Sequence, residues 1–285
     1  MSLLDRVRHC MRRDMARFRP FLIDTTRVGW VADEIADLLR AFPATFSVTA
    51  DAVRLAPGLD GFEARSDAVD TVLRQLHAQG ALTGWRDETY AVAPSFHAPP
   101  LLRIERAAAP AFGILTHCIH VIGFCGDGQG MKLWIARRSL SKPVGPGKLD
   151  LLANGGQPMG MSLRDNLRKE CWEEAGVPDD MADRARPASV VNYMFEGQRG
   201  LRNEINFVLD LELPQGFVPR NVDGEVEEFF LWPAAQARER LAESDDFLYD
   251  AALGLIDFLT RHGAVGPETP DYLPLIHGLP SRPRE

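Results

Sequence analysis

The sequence predicts an α/β protein built from two domains, and three observations lead to this prediction. The chain has 285 residues with 45% hydrophobic content, which is enough for a substantial core and for two domains. Short β-rich runs alternate with apolar stripes at helical spacing in both halves of the chain. Prolines at positions 94, 99 and 100 mark a boundary between the halves. We therefore predict a small α+β accessory domain over 1–108, a larger α/β domain over 109–265 and a C-terminal tail over 266–285.

Composition and charge argue against several classes of function. The net charge of −8 and the isoelectric point near 5.4 argue against a nucleic-acid partner. The chain has no apolar stretch of the roughly eighteen residues that a transmembrane helix needs, so we expect no membrane partner. The N-terminus lacks the hydrophobic run of a signal peptide, so we expect a cytoplasmic protein. The four cysteines are scattered without a Cys-x-x-Cys pair, which argues against a zinc site and a disulfide framework.

The first domain alternates predicted strands and helices. The strands are expected over 21–23, 28–31, 46–48 and 53–55, and the helices over 35–42 and 69–76. No pattern with recognisable chemistry lies in this part of the chain. Its predicted role is either packing or covering an active site formed by the second domain.

The second domain contains a glycine-rich segment, Cys125–Gly130, between two β-rich runs. An Asp-Gly pair between strands is typical of a hairpin turn, and no helix follows it as in a phosphate-binding loop. We therefore predict a turn here. Further strands are expected over 189–195 and 203–213, and further helices over 235–241 and 247–259.

One short helix of the second domain concentrates negative charge. Ser162 is a candidate N-cap and Gly176 a candidate C-cap, which predicts about three helical turns between them. Glu170, Glu173 and Glu174 stand at i, i+3 and i+4 and therefore lie on one side of the helix. They border an apolar stripe and do not oppose it. The stripe consists of Leu163, Leu167, Cys171 and Ala175.

Spacing alone leaves two interpretations of this acidic cluster open. In the first, the helix has a solvated surface on which Lys169 pairs with Glu173. In the second, the carboxylates bind a divalent cation, because partly buried like charges are costly without a positive partner and Mg²⁺ prefers carboxylate oxygen.

The segments just upstream of the helix indicate an anionic substrate. A basic loop in an otherwise acidic protein could clamp such a substrate through its positive side chains. We therefore assign substrate binding to Arg137, Arg138, Lys142 and Lys148, and to the glycine pair Gly155 and Gly156 that leads into the helix.

The loop and helix together resemble the Nudix box, a glycine-rich loop followed by a metal-binding helix. Gly155 matches the first glycine of the box, Gly176 matches the glycine near its end, and the three helix glutamates match its metal-binding residues. Met161 stands where the box has an earlier glutamate, Lys169 replaces an arginine, and Cys171 fills an aliphatic position. These departures leave the metal-binding triad intact.

Further segments resemble one Nudix subfamily, whose members carry an N-terminal accessory domain and occur with thiamine pyrophosphokinases. The matching segments include 111–114, 120–123, 133–139, 146–150, 155–160 and 225–228. The resemblance implies a Nudix α/β/α sandwich with a mixed sheet, preceded by the accessory domain. It also implies a Mg²⁺-dependent hydrolase, with Mn²⁺ as a substitute, that cleaves a small-molecule diphosphate. Oxothiamine and oxythiamine diphosphates, hydrolysed to monophosphates, are the substrates that it suggests.

The same resemblance implies catalytic roles. Glu170, Glu173 and Glu174 would be both catalytic and metal-binding, and a further glutamate from outside the box would serve as ligand or base. The candidates for this residue are Glu204, Glu225 and Glu227.

Several alternatives stay open at this point. The substrate could instead be ADP-ribose or an oxidised nucleoside diphosphate. A catalytically silent Nudix fold that binds a metabolite or a protein is a third reading, motivated by Met161 and Lys169. A homodimer is compatible with each reading, and the sequence does not identify the base or the contribution of the accessory domain.

Overall fold

The computed structural model describes residues 2–279, except for the side chain of Gln129. Its first element is helix α1 (Leu3–His9), which Ser2 caps by accepting a hydrogen bond from the amide of Asp5. Residues 18–108, here called the accessory unit, follow. Their helices and strands are β1 (Phe18–Ile23), β2 (Thr26–Ala32), α2 (Asp33–Leu39), β3 (Phe46–Val48), β4 (Val53–Leu55), α3 (Phe62–Ala78), β5 (Thr89–Val92) and β6 (Leu102–Glu105).

The accessory unit has a hydrophobic core of its own. Four strands form a sheet in the order β2-β1-β4-β3, and β5 pairs with β6. Val69 and Leu73 of α3 are buried in the same apolar cluster as Phe21 of β1 and Phe112, which follows the unit. The predicted strands and both predicted helices are present, although α2 ends at Leu39.

Residues 115–261, here called the larger unit, contain most of the remaining elements. In chain order the structure has β7 (Leu115–Cys125), β8 (Lys132–Arg138), β9 (Leu149–Asp150), β10 (Ala153–Gly156), α4 (Leu163–Ala175), α5 (Asp179–Ala182), β11 (Arg186–Gly197), β12 (Gly200–Glu212), β13 (Val226–Pro233), α6 (Ala234–Glu243), α7 (Tyr249–Arg261) and α8 (Tyr272–Gly278). The glycine-rich segment after β7 is a turn, as expected, because Phe124 on one side of it pairs antiparallel with Leu133 on the other.

A mixed seven-stranded sheet organises the larger unit. Five strands run in the order β11-β12-β7-β8-β13, while β10 pairs with β7 and β9 with β8. Strands β7 and β12 are parallel, and the other pairs are antiparallel. Side chains alternate along β7, so Ile119 and Val121 pack with α4 while Ile122 packs with α7 on the opposite face. The expected α/β/α sandwich is therefore confirmed.

The two ends of the described chain meet on the α7 face. Helix α1 packs against α7 and α8, and Leu4 and Leu275 are buried in the same cluster as the α7 side chains. Residues 3–9, predicted as part of the accessory domain, thus contribute to the core of the larger unit. So does the described part of the predicted tail, 266–279, whereas 280–285 lie outside the described residues. No helix within the described part is long and apolar enough to cross a membrane.

His117 on β7 is enclosed by aromatic rings. The centroid of its ring lies 4.8 Å from that of Phe96 and 6.0 Å from that of Phe207. Its Nε2 atom has no hydrogen-bond partner among the described residues. Burial lowers the pKa of His117 to about 4, although the charge of Glu204 acts in the opposite direction. The folded protein therefore keeps His117 neutral at pH values where an exposed histidine is protonated.

This environment predicts a pH dependence of stability. An unfolded chain protonates His117 near the ordinary histidine pKa of 6.5, whereas the folded chain does so only near 4. The His117 contribution to stability is therefore complete above pH 6.5, falls between pH 6.5 and 4, and changes no further below pH 4. Acidification should lower the free energy of unfolding by about 1–3 kcal/mol less in His117→Gln than in the wild type.

Urea unfolding of the wild type and His117→Gln at several pH values between neutral and acid measures this difference. The exposed His277, replaced by Gln, provides the matched control. Equal pH slopes in wild type and His117→Gln would contradict the prediction.

Candidate active site

Helix α4 begins and ends where its sequence signals predict. Ser162 accepts a hydrogen bond from the amide of Asp165 at 3.1 Å, and Gly176 ends the helix with a φ of +63°. This left-handed conformation favours glycine because a Cβ would be strained there. Leu167 and Cys171 are buried against the sheet, and this packing fixes the rotation of the helix and therefore the side on which its glutamates lie.

The three glutamates share one side of α4 but differ in exposure. The side chain of Glu173 is 38% exposed, that of Glu170 is 13% exposed, and that of Glu174 is 7% exposed. Strand β10 passes beside them, and a Cβ placed on Gly155 would lie 2.1 Å from the carboxyl carbon of Glu170. Glycine at position 155 therefore leaves the space that this carboxylate occupies.

Two lysines neutralise the cluster. The Nζ atom of Lys169 donates hydrogen bonds to Glu170 at 3.0 Å and to Glu173 at 2.8 Å. The Nζ atom of Lys142 lies 4.0 Å from Oε1 of Glu174. The Lys169–Glu173 pair expected for a solvated helix surface is therefore present. The carboxylates of Glu170 and Glu174, however, are largely buried.

Burial controls protonation in this cluster. It raises the pKa of Glu174 to about 8, and the charges of Glu170 and Asp150 act in the same direction. It also raises the pKa of Glu170. Burial disfavours the charged form of Lys169, but the hydrogen bonds and negative charges of Glu173 and Glu170 together outweigh this effect and raise the pKa of the lysine. Buried carboxylates of this kind are stabilised as anions by an approaching cation.

The donor set fits a hard divalent cation. It supplies several carboxylate oxygens, the ligands that Mg²⁺ prefers, in a place where burial makes uncompensated negative charge unfavourable. Within residues 2–279, no three acidic, histidine or cysteine side chains already surround one metal position. The ammonium group of Lys169 lies between two of the carboxylates. The side chains that would hold a cation are Glu170, Glu173 and Glu174.

A cavity of about 340 Å³ lies beside these glutamates. Glu170 and Glu173 line one side of it, and Glu88 and Tyr90 of the accessory unit line another. The Tyr90 hydroxyl rests against β10, where a Cβ on Gly156 would lie 1.8 Å from it. The accessory unit therefore covers the site, which is one of the two roles expected from the sequence.

The basic residues assigned to substrate binding do not all reach this cavity. Lys142 and Arg138 line it, but Arg138 forms a buried ion pair with Asp150 at 2.6 Å. Arg137 lies 3.8 Å from a glutamate of β13 and over an aromatic ring, and Lys148 pairs with an aspartate that precedes α7 at 3.1 Å. The structure does not bring Arg137 and Lys148 to the cavity wall.

The three candidate glutamates from outside the box differ in burial and in their position relative to the cavity. Glu204 on β12 is 6% exposed and accepts hydrogen bonds from the hydroxyl of Tyr193 at 2.6 Å and from a threonine of β7 at 3.2 Å. Glu225, just before β13, contacts the ammonium group of Lys142. Both glutamates line the cavity, whereas Glu227 does not contribute to its described lining.

A second set of cavity residues carries no clear signal in the sequence. Arg86 and Arg106 come from the accessory unit, and Arg199 and Arg202 come from the turn between β11 and β12 and the start of β12. The sequence pattern around the last two indicates only a polar turn between strands. These arginines meet through the folding of segments far apart in the chain, which local patterns cannot show.

Two family models match the chain. The model described as NUDIX domain matches residues 117–251, and the model described as a domain of unknown function, DUF4743, matches residues 2–116. Their junction lies at the beginning of β7. The matched NUDIX region contains α4, its three glutamates and the larger part of the cavity lining.

Three known proteins are similar to the chain over most of its length. Nudix hydrolase 24, chloroplastic, from Arabidopsis thaliana is 44% identical over 98% of this chain and 77% of its own. Nudix hydrolase 20, chloroplastic, from the same plant is 40% identical over 99% of this chain and 78% of its own. An uncharacterized protein of Saccharomyces cerevisiae is 30% identical over 89% of this chain and 80% of its own.

The family model and the relatives agree with the sandwich fold and the position of the acidic helix. Nudix enzymes generally use a divalent metal, which the donor set of α4 fits. The chain belongs to the Nudix hydrolases.

Proposed function

We propose that this chain is a Mg²⁺-dependent pyrophosphohydrolase of a small organic diphosphate, with Mn²⁺ as a substitute metal. One observation carries the proposal: the carboxylates of α4 open onto a cavity whose other walls contain lysine and arginine side chains. A diphosphate is recognised by this combination, because a metal ion and cationic side chains together balance the charge of its phosphoryl oxygens.

The chain's own residues position the metal ligands. Glu170, Glu173 and Glu174 would hold the metal, which when bound supplies positive charge to the diphosphate and lowers the pKa of an attacking water. The backbone amide of Asn154 donates a hydrogen bond to Glu174 at 2.8 Å and so fixes that carboxylate. Gly155 provides room for Glu170. Strand β10 therefore fixes the carboxylate of Glu174 through a hydrogen bond and leaves space for that of Glu170.

Glu225 is our proposal for the general base. The carboxylate oxygens of Glu204 already accept hydrogen bonds from Tyr193 and a threonine. The described contact of the Glu225 carboxylate is with Lys142, at the cavity wall next to α4. A carboxylate with one flexible partner can accept a proton from water more readily than one held by two hydroxyl groups.

The proposed reaction is hydrolysis of a phosphoanhydride. The oxygen of water bonds to one phosphorus, the P–O–P bond breaks, and the products are an organic monophosphate and inorganic phosphate. The cavity volume of about 340 Å³ is at the small end of the range for small-molecule sites, which favours a compact substrate. Oxothiamine and oxythiamine diphosphates are our preferred substrates because of the subfamily resemblance of the sequence.

Removal of two metal-binding carboxylates should abolish turnover. We expect the Glu173→Gln, Glu174→Gln double variant to lose at least about a hundredfold in kcat/KM, because the charge that holds the metal is reduced. Phosphate release with Mg²⁺ is measured on thiamine diphosphate, its oxo and oxy analogues, ADP-ribose and nucleoside diphosphates.

The matched control changes two exposed glutamates of α6, Glu239→Gln and Glu243→Gln, and should keep wild-type activity. Full turnover by the α4 double variant would contradict the proposal. The absence of turnover by the folded wild type on the whole panel would favour a catalytically silent Nudix fold.

The contact between Gly155 and Glu170 predicts that a substitution at position 155 lowers activity with little effect on stability. The atoms that an alanine at position 155 would meet first belong to the end of the Glu170 side chain, which can move. We expect Gly155→Ala to change the free energy of unfolding by less than about 1 kcal/mol but to lower kcat/KM at least about tenfold. Unfolding in urea and steady-state kinetics test the two parts. Unchanged kinetics would show that the position of Glu170 does not matter.

Replacement of the proposed base should act mainly on the chemical step. Glu225→Gln is expected to lower kcat by about 10²–10⁴-fold, with a much smaller effect on KM. The same substitution at Glu227, which lies outside the described cavity lining, is the control. If Glu227→Gln were the more damaging change, the assignment of Glu225 would be wrong.

A further inference from the structure

Three arginines that line the cavity have no carboxylate partner among the described residues. Arg86, Arg199 and Arg202 form no ion pair with a carboxylate within the described part of the chain, although many other arginines do. Arg202 instead lies over the ring of Tyr249, 5.9 Å from its centroid. All three side chains line the same cavity as the glutamates of α4.

The fold holds two of these arginines at the boundary between the units. The tip of the β11–β12 hairpin is fixed because the amide of Leu201 donates to the carbonyl of Pro110 at 2.8 Å. A Cβ on Gly200 would lie 2.2 Å from that carbonyl oxygen, so the close approach requires glycine. Beside it, Nη1 of Arg199 lies 3.0 Å from the position that a Cβ on Gly84 would take. The hairpin tip therefore extends the cavity wall up to the accessory unit.

Arg106 interacts with charges on both sides of the cavity lining, those of this arginine group and those of the acidic helix. Its guanidinium group donates to Glu88 at 3.2 Å and lies 5.8 Å from the centroid of the Tyr90 ring. Its charge stabilises the ionised form of Glu170 and disfavours that of Arg199. Arg106 therefore couples the charges of the arginine group to those of the acidic helix.

Arg199 is the member of this group that the neighbouring positive charges affect most clearly. Burial lowers the pKa of Arg199, and the charges of Arg202, Arg106 and Arg86 lower it further. Arg199 is therefore placed unfavourably by itself, because its guanidinium group loses hydration and faces like charge. The charge of Arg202 is partly offset by the carboxylates of Glu204 and Asp250. An anion with several acceptor oxygens relieves both effects, since guanidinium groups donate paired hydrogen bonds to phosphate.

We propose that Arg86, Arg106, Arg199 and Arg202 form a subsite for the terminal phosphate of the substrate, shared between the accessory unit and the hairpin tip. The scissile anhydride then lies toward the glutamates of α4, and the terminal phosphate lies on the arginine side. The substrate assignment rests on the proposed function, whereas the anion-binding role of the arginines does not.

The charge of the subsite favours one class of diphosphate. A terminal phosphate carries about −1.5 to −2 charges at pH 7, with three free oxygens, and a phosphate esterified on both sides carries less charge and has fewer free oxygens. Four cationic side chains therefore favour a diphosphate with a free end over a diphosphate that bridges two organic groups. ADP-ribose belongs to the second group, and thiamine diphosphate analogues and nucleoside diphosphates belong to the first.

The first test measures anion binding without catalysis. Inorganic pyrophosphate is titrated into the full chain in the presence of a chelator, with calorimetry as the readout. The Arg86→Gln, Arg199→Gln double variant should bind at least about tenfold more weakly, because two charge-assisted hydrogen-bonding groups are lost. The Glu170→Gln, Glu173→Gln variant should bind at least as tightly as the wild type. Arg54→Gln, Arg238→Gln, with both changes at exposed sites outside the cavity, is the control for net charge.

The second test uses kinetics with Mg²⁺. The arginine double variant should raise KM at least about tenfold for a diphosphate with a free end, change kcat much less, and leave any ADP-ribose turnover nearly unchanged. Lysine at both positions should restore part of the affinity, because it returns the charge without the planar fork. Equal unfolding midpoints of the variants exclude a folding defect.

The outcomes separate the two proposals. Loss of pyrophosphate binding in the arginine variant, without turnover of any panel substrate by the wild type, would support the subsite and reject the hydrolase function. Wild-type pyrophosphate binding in the arginine variant, no measurable pyrophosphate binding by the wild type, or an equal loss for ADP-ribose would overturn the subsite.

Discussion

The structure depends on the placement of three carboxylates at the edge of a buried helix face. Packing of α4 on the sheet through Leu167 and Cys171 turns Glu170 and Glu174 inward, where water cannot solvate them fully. Burial then raises the pKa of both, to about 8 for Glu174. The positive charges of Lys142 and Lys169 partly balance the negative charges of these carboxylates. A divalent cation would do so more completely, because it meets several carboxylate oxygens at once.

The accessory unit has a functional position as well as a core of its own. It supplies Tyr90, which rests on β10, and Arg86 and Arg106, which line the same cavity as the glutamates of α4. The hairpin tip reaches it through Arg199, whose Nη1 atom lies 3.0 Å from the position that a Cβ on Gly84 would take. The carboxylates of α4 in the larger unit and arginines from both units therefore line the same cavity. The substrate preference that we propose therefore depends on residues of the accessory unit as well as on the Nudix box.

The sequence predicts those parts of the protein that rest on local rules. The caps of α4 and the spacing of its glutamates predict the helix and the side on which its carboxylates lie, and both are observed. Alternation and turn residues likewise predict the β7–β8 hairpin. Local patterns do not predict helix α8 within the proline-rich tail, because its stability comes from packing against α1 and not from a strong helical pattern.

Long-range contacts set the limit of these predictions. A basic loop indicates an anion site, yet Arg137 and Lys148 are paired with carboxylates away from the cavity, and Arg138 is held by Asp150. Pairing of this kind depends on which strands become neighbours. The arginines at 86, 106, 199 and 202 have no common sequence pattern and meet only because the hairpin tip docks on the accessory unit. Charge composition therefore predicts the kind of site but not the residues that form it.

The most direct test of this account is a crystal structure of the protein soaked with Mn²⁺, with the ion located by its anomalous scattering. We expect one ion at about 2.0–2.3 Å from carboxylate oxygens of Glu170, Glu173 and Glu174, with the ammonium group of Lys169 displaced from between the first two. An ion bound elsewhere, or a Lys169 that keeps both ion pairs at saturating Mn²⁺, would contradict the central role given to α4.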